Sequence, residues 1–157
     1  MNIKLICISK TDISYLKEGL DVYRKRLRHY INFELIEIPE LKNTKNLSPK
    51  ELKEKEAELL LKHIEKSDEV VLLDEKGKTF RSMEFAEYLQ KKMNSNAKTL
   101  SFVIGGAYGF STAFTEQYKE KLSLSPMTFS HQMIRLLFVE QVYRAFTILK
   151  GEPYHNE

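Results

Sequence analysis

Between His131 and Leu149 the chain carries Met133, Ile134, Leu136, Leu137, Phe138, Val139, Val142, Tyr143, Ala145, Phe146, Ile148 and Leu149. At helical spacing these cover almost the whole circumference, and a helix apolar all round must be buried all round. One small sheet covers only one side of it. The other side needs either neighbouring helices of the same chain or a second copy, and a homodimer is the expectation. Lys150-Gly151 and Pro153 end the helix.

Upstream, strand and helix patterns alternate. Ile3–Ile8 reads as a strand, and Ser14–His29 repeats apolar residues at Leu16, Leu20, Tyr23 and Leu27 as a helix does. Phe33–Ile38 alternates as a strand, and Glu40–Leu47 is a polar loop. Ser48-Pro49-Lys50-Glu51 supplies a cap, a proline at the first helical position and a glutamate three residues after the cap, opening a helix to about Glu65. Glu69–Leu73 is a nearly continuous apolar run, as in a strand covered on both faces. A turn at Glu75–Thr79, a helix at Ser82–Met93 capped by Ser82, a strand at Thr99–Ile104 and a short strand at Leu122–Ser125 follow. This order predicts one α/β domain over residues 1–157: a five-stranded, mostly parallel sheet with helices on both faces.

A net charge of +3 is too mild to announce a nucleic-acid binder. The single cysteine, Cys7, lies in an apolar strand and reads as a buried spectator thiol. No secretory signal opens the chain, and no apolar stretch approaches the ~20 residues of a membrane span, so the expectation is cytoplasmic. No Cys/His cluster has metal spacing, and no metal is expected.

Two late loops leave strands at their C-terminal ends, where open α/β sheets place ligands. Gly105-Gly106-Ala107-Tyr108-Gly109 lacks both the G-x-G-x-x-G and the G-K-[ST] pattern, and no lysine follows it to neutralise phosphates. It suits a nucleoside-like ligand without a phosphate chain, or serves only as a tight turn. Ser123–Phe129 exits through Pro126, with Leu124 and Met127 as apolar surfaces for a flat ring. Leu73 points to the same crevice; ordinary core packing explains these side chains equally well. Arg24, Lys25, Arg26 and Arg28 fall within one short stretch, as an RNA-contacting patch or a solvated helix face. Lys42, Lys45, Lys76 and Lys78 lie in loops that could extend it.

GGAYG after a strand, SLSPMTFSHQM, VEQVYRAF and a terminal PYH resemble the RlmH-type 23S rRNA pseudouridine methyltransferases of the SPOUT superfamily. The first strand, FELIEIP and the strand–DEKGK turn fit as well, so the resemblance spans essentially the whole chain. It implies a C-terminal trefoil knot, which no periodicity shows and which base rates oppose. It implies a homodimer, S-adenosylmethionine as methyl donor, and methylation of N3 of a pseudouridine in a 23S rRNA stem-loop of the large subunit. Carried over by position, it implies a cofactor pocket of Leu73, Gly105, Gly106, Leu124, Ser125, Pro126, Met127, Thr128 and Phe129. Ser130, where relatives often carry proline, and Tyr108 in the glycine loop depart from the pattern.

Methyl transfer from a sulfonium is an in-line displacement in which the protein mainly orients the reactants. The acceptor N3 carries a proton that some group must receive. His155, beside Tyr154 in the tail, is the expected base, since an ordinary imidazole titrates near ~6.5; a frayed terminus is the competing reading. Arg135, one turn after His131, is expected to hold a phosphate or the ring carbonyl. His131 and Arg144 are expected to contact RNA, Arg144 across the dimer interface. For both arginines, burial against a carboxylate such as Glu140 competes. His29 and His63 read as surface residues. Two other classes stay open: a non-catalytic ribosome-binding module of the same fold, and a nucleotide hydrolase or flavodoxin-like protein using the glycine loop for phosphate.

Overall fold

The computed structural model describes residues 1–157 as β1 (Asn2–Ile8), α1 (Ser14–Leu27), β2 (Asn32–Ile38), α2 (Pro49–Leu61), β3 (Glu69–Thr79), α3 (Ser82–Met93), β4 (Thr99–Ile104), α4 (Thr112–Gln117), β5 (Lys121–Ser123) and α5 (Met133–Leu149). The strands pair in the order β2-β1-β4-β3-β5, and every pair is parallel. "Mostly parallel" therefore becomes wholly parallel.

Alternation along the strands divides the interior in two. Ile3, Leu5, Cys7, Leu100, Phe102 and Ile104 pack with α1, α3 and α5 on one face. Ile6, Ile8, Leu72 and Val103 pack with Leu60 of α2 and Phe114 of α4 on the other. Phe102 and Phe138 join sheet to last helix, ring centroids 4.7 Å apart. Cys7 is buried and donates to the Ile36 carbonyl at 3.5 Å; burial pushes its thiol up to about 12. No helix is long and apolar enough to cross a membrane.

The last helix begins at Met133 and lies between α1 and α3. Phe138, Val139, Val142, Ala145 and Phe146 are buried, while Ile134, Leu137, Tyr143 and Ile148 are only half-buried. Helices of the same chain thus cover much of its circumference, and a half-covered apolar stripe remains.

Several local signals read differently in three dimensions. Ser48 caps α2 as expected, its Oγ accepting from the Glu51 N–H at 3.2 Å. The residue before α3 is Arg81 rather than Ser82: the Glu84 carboxylate accepts from the Arg81 N–H at 2.7 Å, and Ser82 begins the helix. The expected turn at Glu75–Thr79 is a continuation of β3, which bulges after Leu73 and rejoins β5 at Lys78. Gly77 permits that return, because a Cβ there would stand 2.7 Å from the Leu122 backbone. Helix α4 is too short for periodicity to reveal; Ser111 caps it, accepting from the Phe114 N–H at 3.2 Å.

Candidate functional site

The C-terminal ends of β3, β4 and β5 enclose a crevice of about 570 Å³. This lies within the ~300–1,000 Å³ usual for small-molecule sites. One wall is the glycine loop. Gly109 sits at φ +80, a conformation that favours glycine, and its N–H donates to the Gly106 carbonyl at 3.0 Å. A Cβ on Gly105 would stand 3.1 Å from the Gly109 carbonyl group, so any larger residue there would press the loop open by a few tenths of an ångström.

The opposite wall is the loop after β5. Ser123 Oγ donates to the Ser125 carbonyl at 2.8 Å, and Ser125 Oγ accepts from the Met127 N–H at 3.0 Å. Ser130 Oγ accepts from the Met133 N–H at 3.2 Å, so this serine ties down the entry to α5. Met127 is 76% exposed and Phe129 43%, leaving apolar surface bare at the mouth. Leu73, Gly105, Gly106, Leu124, Ser125, Met127, Thr128 and Phe129 all line this one space. Pro126 does not: it is exposed and shapes the exit without forming wall. Sequence reasoning missed Asp74–Lys76, which line the crevice because β3 runs on beyond Leu73, and Ile134 at its floor.

The catalytic expectation for Arg135 is corrected. Its side chain is fully buried and donates to the Ile8 and Ser9 carbonyls, Thr11 Oγ1 and Glu37, with Nε on the His131 carbonyl. With its donors spent on its own chain, it cannot hold a ligand. His131 stands at the crevice, exposed.

Gly151, at φ +67, turns the tail back along α5. Tyr154 donates to Glu140 at 2.9 Å and lies under Arg144, whose guanidinium carbon is 4.8 Å from the ring centroid. Burial, then hydrogen bonding with Tyr23 and Glu140, pushes the Tyr154 phenol up, so it stays protonated and acts as a donor. Arg144 Nη2 donates to Glu140 at 2.6 Å, and its Nη1 lies 3.2 Å from His155 Nδ1. A guanidinium only donates, so Nδ1 accepts and the imidazole proton resides on Nε2. The tail is docked, not frayed, and neither Tyr154 nor His155 lines the crevice.

Arg24, Lys25, Arg26 and Arg28 end α1, near the strand starts and away from the crevice. Arg24 pairs with Asp21 at 3.8 Å, and Arg26 covers the Tyr23 and Tyr143 rings. Lys25 and Arg28 are exposed.

Residues 1–155 match the family model described as "Predicted SPOUT methyltransferase". The ribosomal RNA large subunit methyltransferase H of Parabacteroides distasonis is 59% identical over 157 residues, covering 100% of both chains. The protein of that name from Flavobacterium johnsoniae is also 59% identical over 157 residues, with 100% of both covered. Among solved structures, a probable methylase family protein from Haemophilus influenzae Rd KW20 shares the fold at TM-score 0.51 and 12% identity. The match covers 99% of this chain and 70% of that one.

Proposed function

The chain belongs to the SPOUT methyltransferase family and, within it, to the large-subunit ribosomal RNA methyltransferase H group; from that premise we propose that it methylates N3 of a pseudouridine in a 23S rRNA stem-loop, using S-adenosylmethionine. The observation that carries this reading is the full-length 59% identity to a protein of that name. The residues present fit the cofactor: a crevice of sufficient size whose walls mix apolar side chains with polar ones, and a loop that a Cβ on Gly105 would crowd.

When bound, the cofactor supplies a methyl group already activated on sulfonium. The protein's part is orientation and proton removal. Leu73, Leu124, Met127 and Phe129 would flank the adenine ring, and the main chain of Gly105 and Leu124–Phe129, Pro126 included, would meet its polar edge. His131, at the crevice, would meet the RNA. The N3 proton passes to His155 at Nδ1 once the Arg144 contact opens. Tyr154 holds the tail in register through Glu140, and Arg144, released, turns to the RNA backbone. Arg24, Lys25, Arg26 and Arg28 would extend the RNA contact.

The tail lies off the crevice within one protomer, which supports a homodimer in which each tail serves the partner's crevice. The half-buried stripe of α5 is the natural interface. Family membership also supports a trefoil-knotted C-terminal segment and a cytoplasmic place of action.

Mass spectrometry of rRNA from cells lacking this protein tests the reading. One methyl group should disappear from a pseudouridine of 23S rRNA and return with the wild-type gene. An unchanged methylation pattern, together with RNA binding but no cofactor heat in calorimetry, would identify a non-catalytic RNA-binding module instead.

A further inference from the structure

An unbroken row of hydrogen bonds runs from α1 to the end of the tail. Tyr23 Oη lies 3.3 Å from Tyr154 Oη, which lies 2.9 Å from Glu140 Oε1. Glu140 Oε1 lies 2.6 Å from Arg144 Nη2, and Arg144 Nη1 lies 3.2 Å from His155 Nδ1. Tyr23 is the member remote in sequence, 131 residues from its partner, and the function proposed above gives it no part of its own.

The direction of each bond is fixed. A guanidinium only donates, so Glu140 and His155 Nδ1 both accept from Arg144. The Glu140 carboxylate only accepts, so the Tyr154 hydroxyl gives it its one proton. The Tyr154 oxygen is then left to accept, and the Tyr23 hydroxyl is the donor. Tyr23 starts the row and His155 ends it.

The Tyr23 ring has a seat that needs no hydroxyl. It stands 5.8 Å from the Tyr143 ring, which meets the Tyr154 ring edge-on at 4.8 Å. Arg26 covers the Tyr23 and Tyr143 rings, its guanidinium carbon 5.3 and 5.6 Å from their centroids. Phenylalanine would fill this seat as well. The hydroxyl's hydrogen bond goes to the tail, and past the end of α1 a second tyrosine, Tyr30, donates to Glu152 of the same tail.

We propose that Tyr23 is a positioning residue for the methyl transfer: its hydroxyl fixes Tyr154 and, through Glu140 and Arg144, the place from which His155 takes the N3 proton. The inference rests on the methyltransferase reading and adds to it a residue that acts only through the tail.

Tyr23→Phe tests it, because the ring and its packing stay while one hydrogen bond goes. Ribosomes from cells lacking this protein serve as acceptor, with S-adenosylmethionine as donor. Turnover should fall about two- to tenfold, the worth of one hydrogen bond. KM for ribosomes, cofactor affinity by calorimetry and the urea midpoint should all hold. Adding Tyr23→Phe to Tyr154→Phe should cost nothing further, since the partner hydroxyl is already gone. Wild-type turnover in Tyr23→Phe would overturn the inference. A raised KM for ribosomes with kcat unchanged would make Tyr23 an RNA contact and overturn it too. A further loss of turnover in the double variant would do the same, because Tyr23 would then act by a route other than Tyr154. If the wild-type protein transferred no methyl group to these ribosomes, the methyltransferase reading itself would fall, and this inference with it.

Discussion

Arg135 of α5 donates from Nη2 to the carbonyl of Ile8, the last residue of β1, at 2.7 Å. Its Nη1 reaches the carbonyl of the next residue, Ser9, at 2.9 Å. Ser9 sits at φ 73, a left-handed conformation that non-glycine residues seldom adopt. One guanidinium thus bolts the last helix to the end of the first strand and holds a strained residue there. It also fixes His131 at the crevice.

Arg135→Met should therefore act on stability. It strips partners from two buried carbonyls and from Glu37, whose partial exposure softens the loss. A cost of about 2–4 kcal/mol in urea unfolding is expected. Arg135→Lys should recover little, because one ammonium cannot span the fork's partners. A variant as stable as wild type would show that water replaces these bonds.

Glu56 makes the ligand-free protein pH-dependent in an unusual sense. Its folded-state carboxyl titrates above the ordinary value, mainly through burial. The folded chain then holds a proton that the unfolded chain has released. Its contribution is complete below the ordinary carboxylate range and is lost as pH rises through the raised value. Glu56→Gln should abolish that decline, leaving a variant more stable than wild type near neutral pH and equal to it in acid. Glu69 runs the other way: the Lys92 ammonium, bonded at 2.9 Å, holds its carboxyl down. Its contribution is present above the ordinary range and lost as pH falls. Lys92→Met should flatten that acid limb, and denaturation midpoints across pH separate the two.

The glycine loop predicts a binding defect without unfolding. A Cβ on Gly105 would meet the Gly109 carbonyl group at 3.1 Å, and valine would add two methyl groups there. Gly105→Val should cost at least about tenfold in S-adenosylmethionine affinity by calorimetry, with the oligomeric state unchanged. Wild-type affinity would remove this glycine from the site.

The docked tail predicts a purely kinetic defect. His155→Ala should lower turnover about 10²–10⁴-fold, the contribution of a positioned base, while cofactor affinity holds. Arg144→Ala should lower turnover too, since it removes the guanidinium that turns to the RNA backbone once its contact with His155 opens. A normal single-turnover rate in His155→Ala would assign the proton to another acceptor.

Much of this fold was legible because its signals are local. The Ser48-Pro49 start of α2 and the apolar run of β4 depend on few neighbours. The crevice walls were legible because glycine and proline mark where strands stop. Arg135 misled because nothing local distinguishes a helical arginine that faces solvent from one that reaches back to residues 8 and 9. Glu56 gave no signal: at helical spacing it reads as one more charge on a charged helix, and only tertiary packing buries it. The β3 bulge stayed hidden because EKGKT has turn composition, while pairing with β5 decides its conformation.

The apolar surround of α5 yields the last prediction. Leu137 is half-buried and lines a small apolar cavity with Phe80, Phe129 and Gln141, beside the crevice. Leu137 reaches solvent in the single chain, so Leu137→Glu harms a protomer little but is costly in a dry interface between copies. On the proposed homodimer, sedimentation should show monomers for Leu137→Glu and dimers for the wild type. Calorimetry should still find the cofactor bound, because the crevice walls come from one chain. Methylation should nevertheless fail, because Tyr154 and His155 do not reach the crevice of their own protomer. Dimers that persist in Leu137→Glu would move the interface elsewhere, to the exposed Tyr15 and Val22 of α1. Monomers that methylate at the wild-type rate would mean that the tail crosses to its own crevice and that no partner is needed.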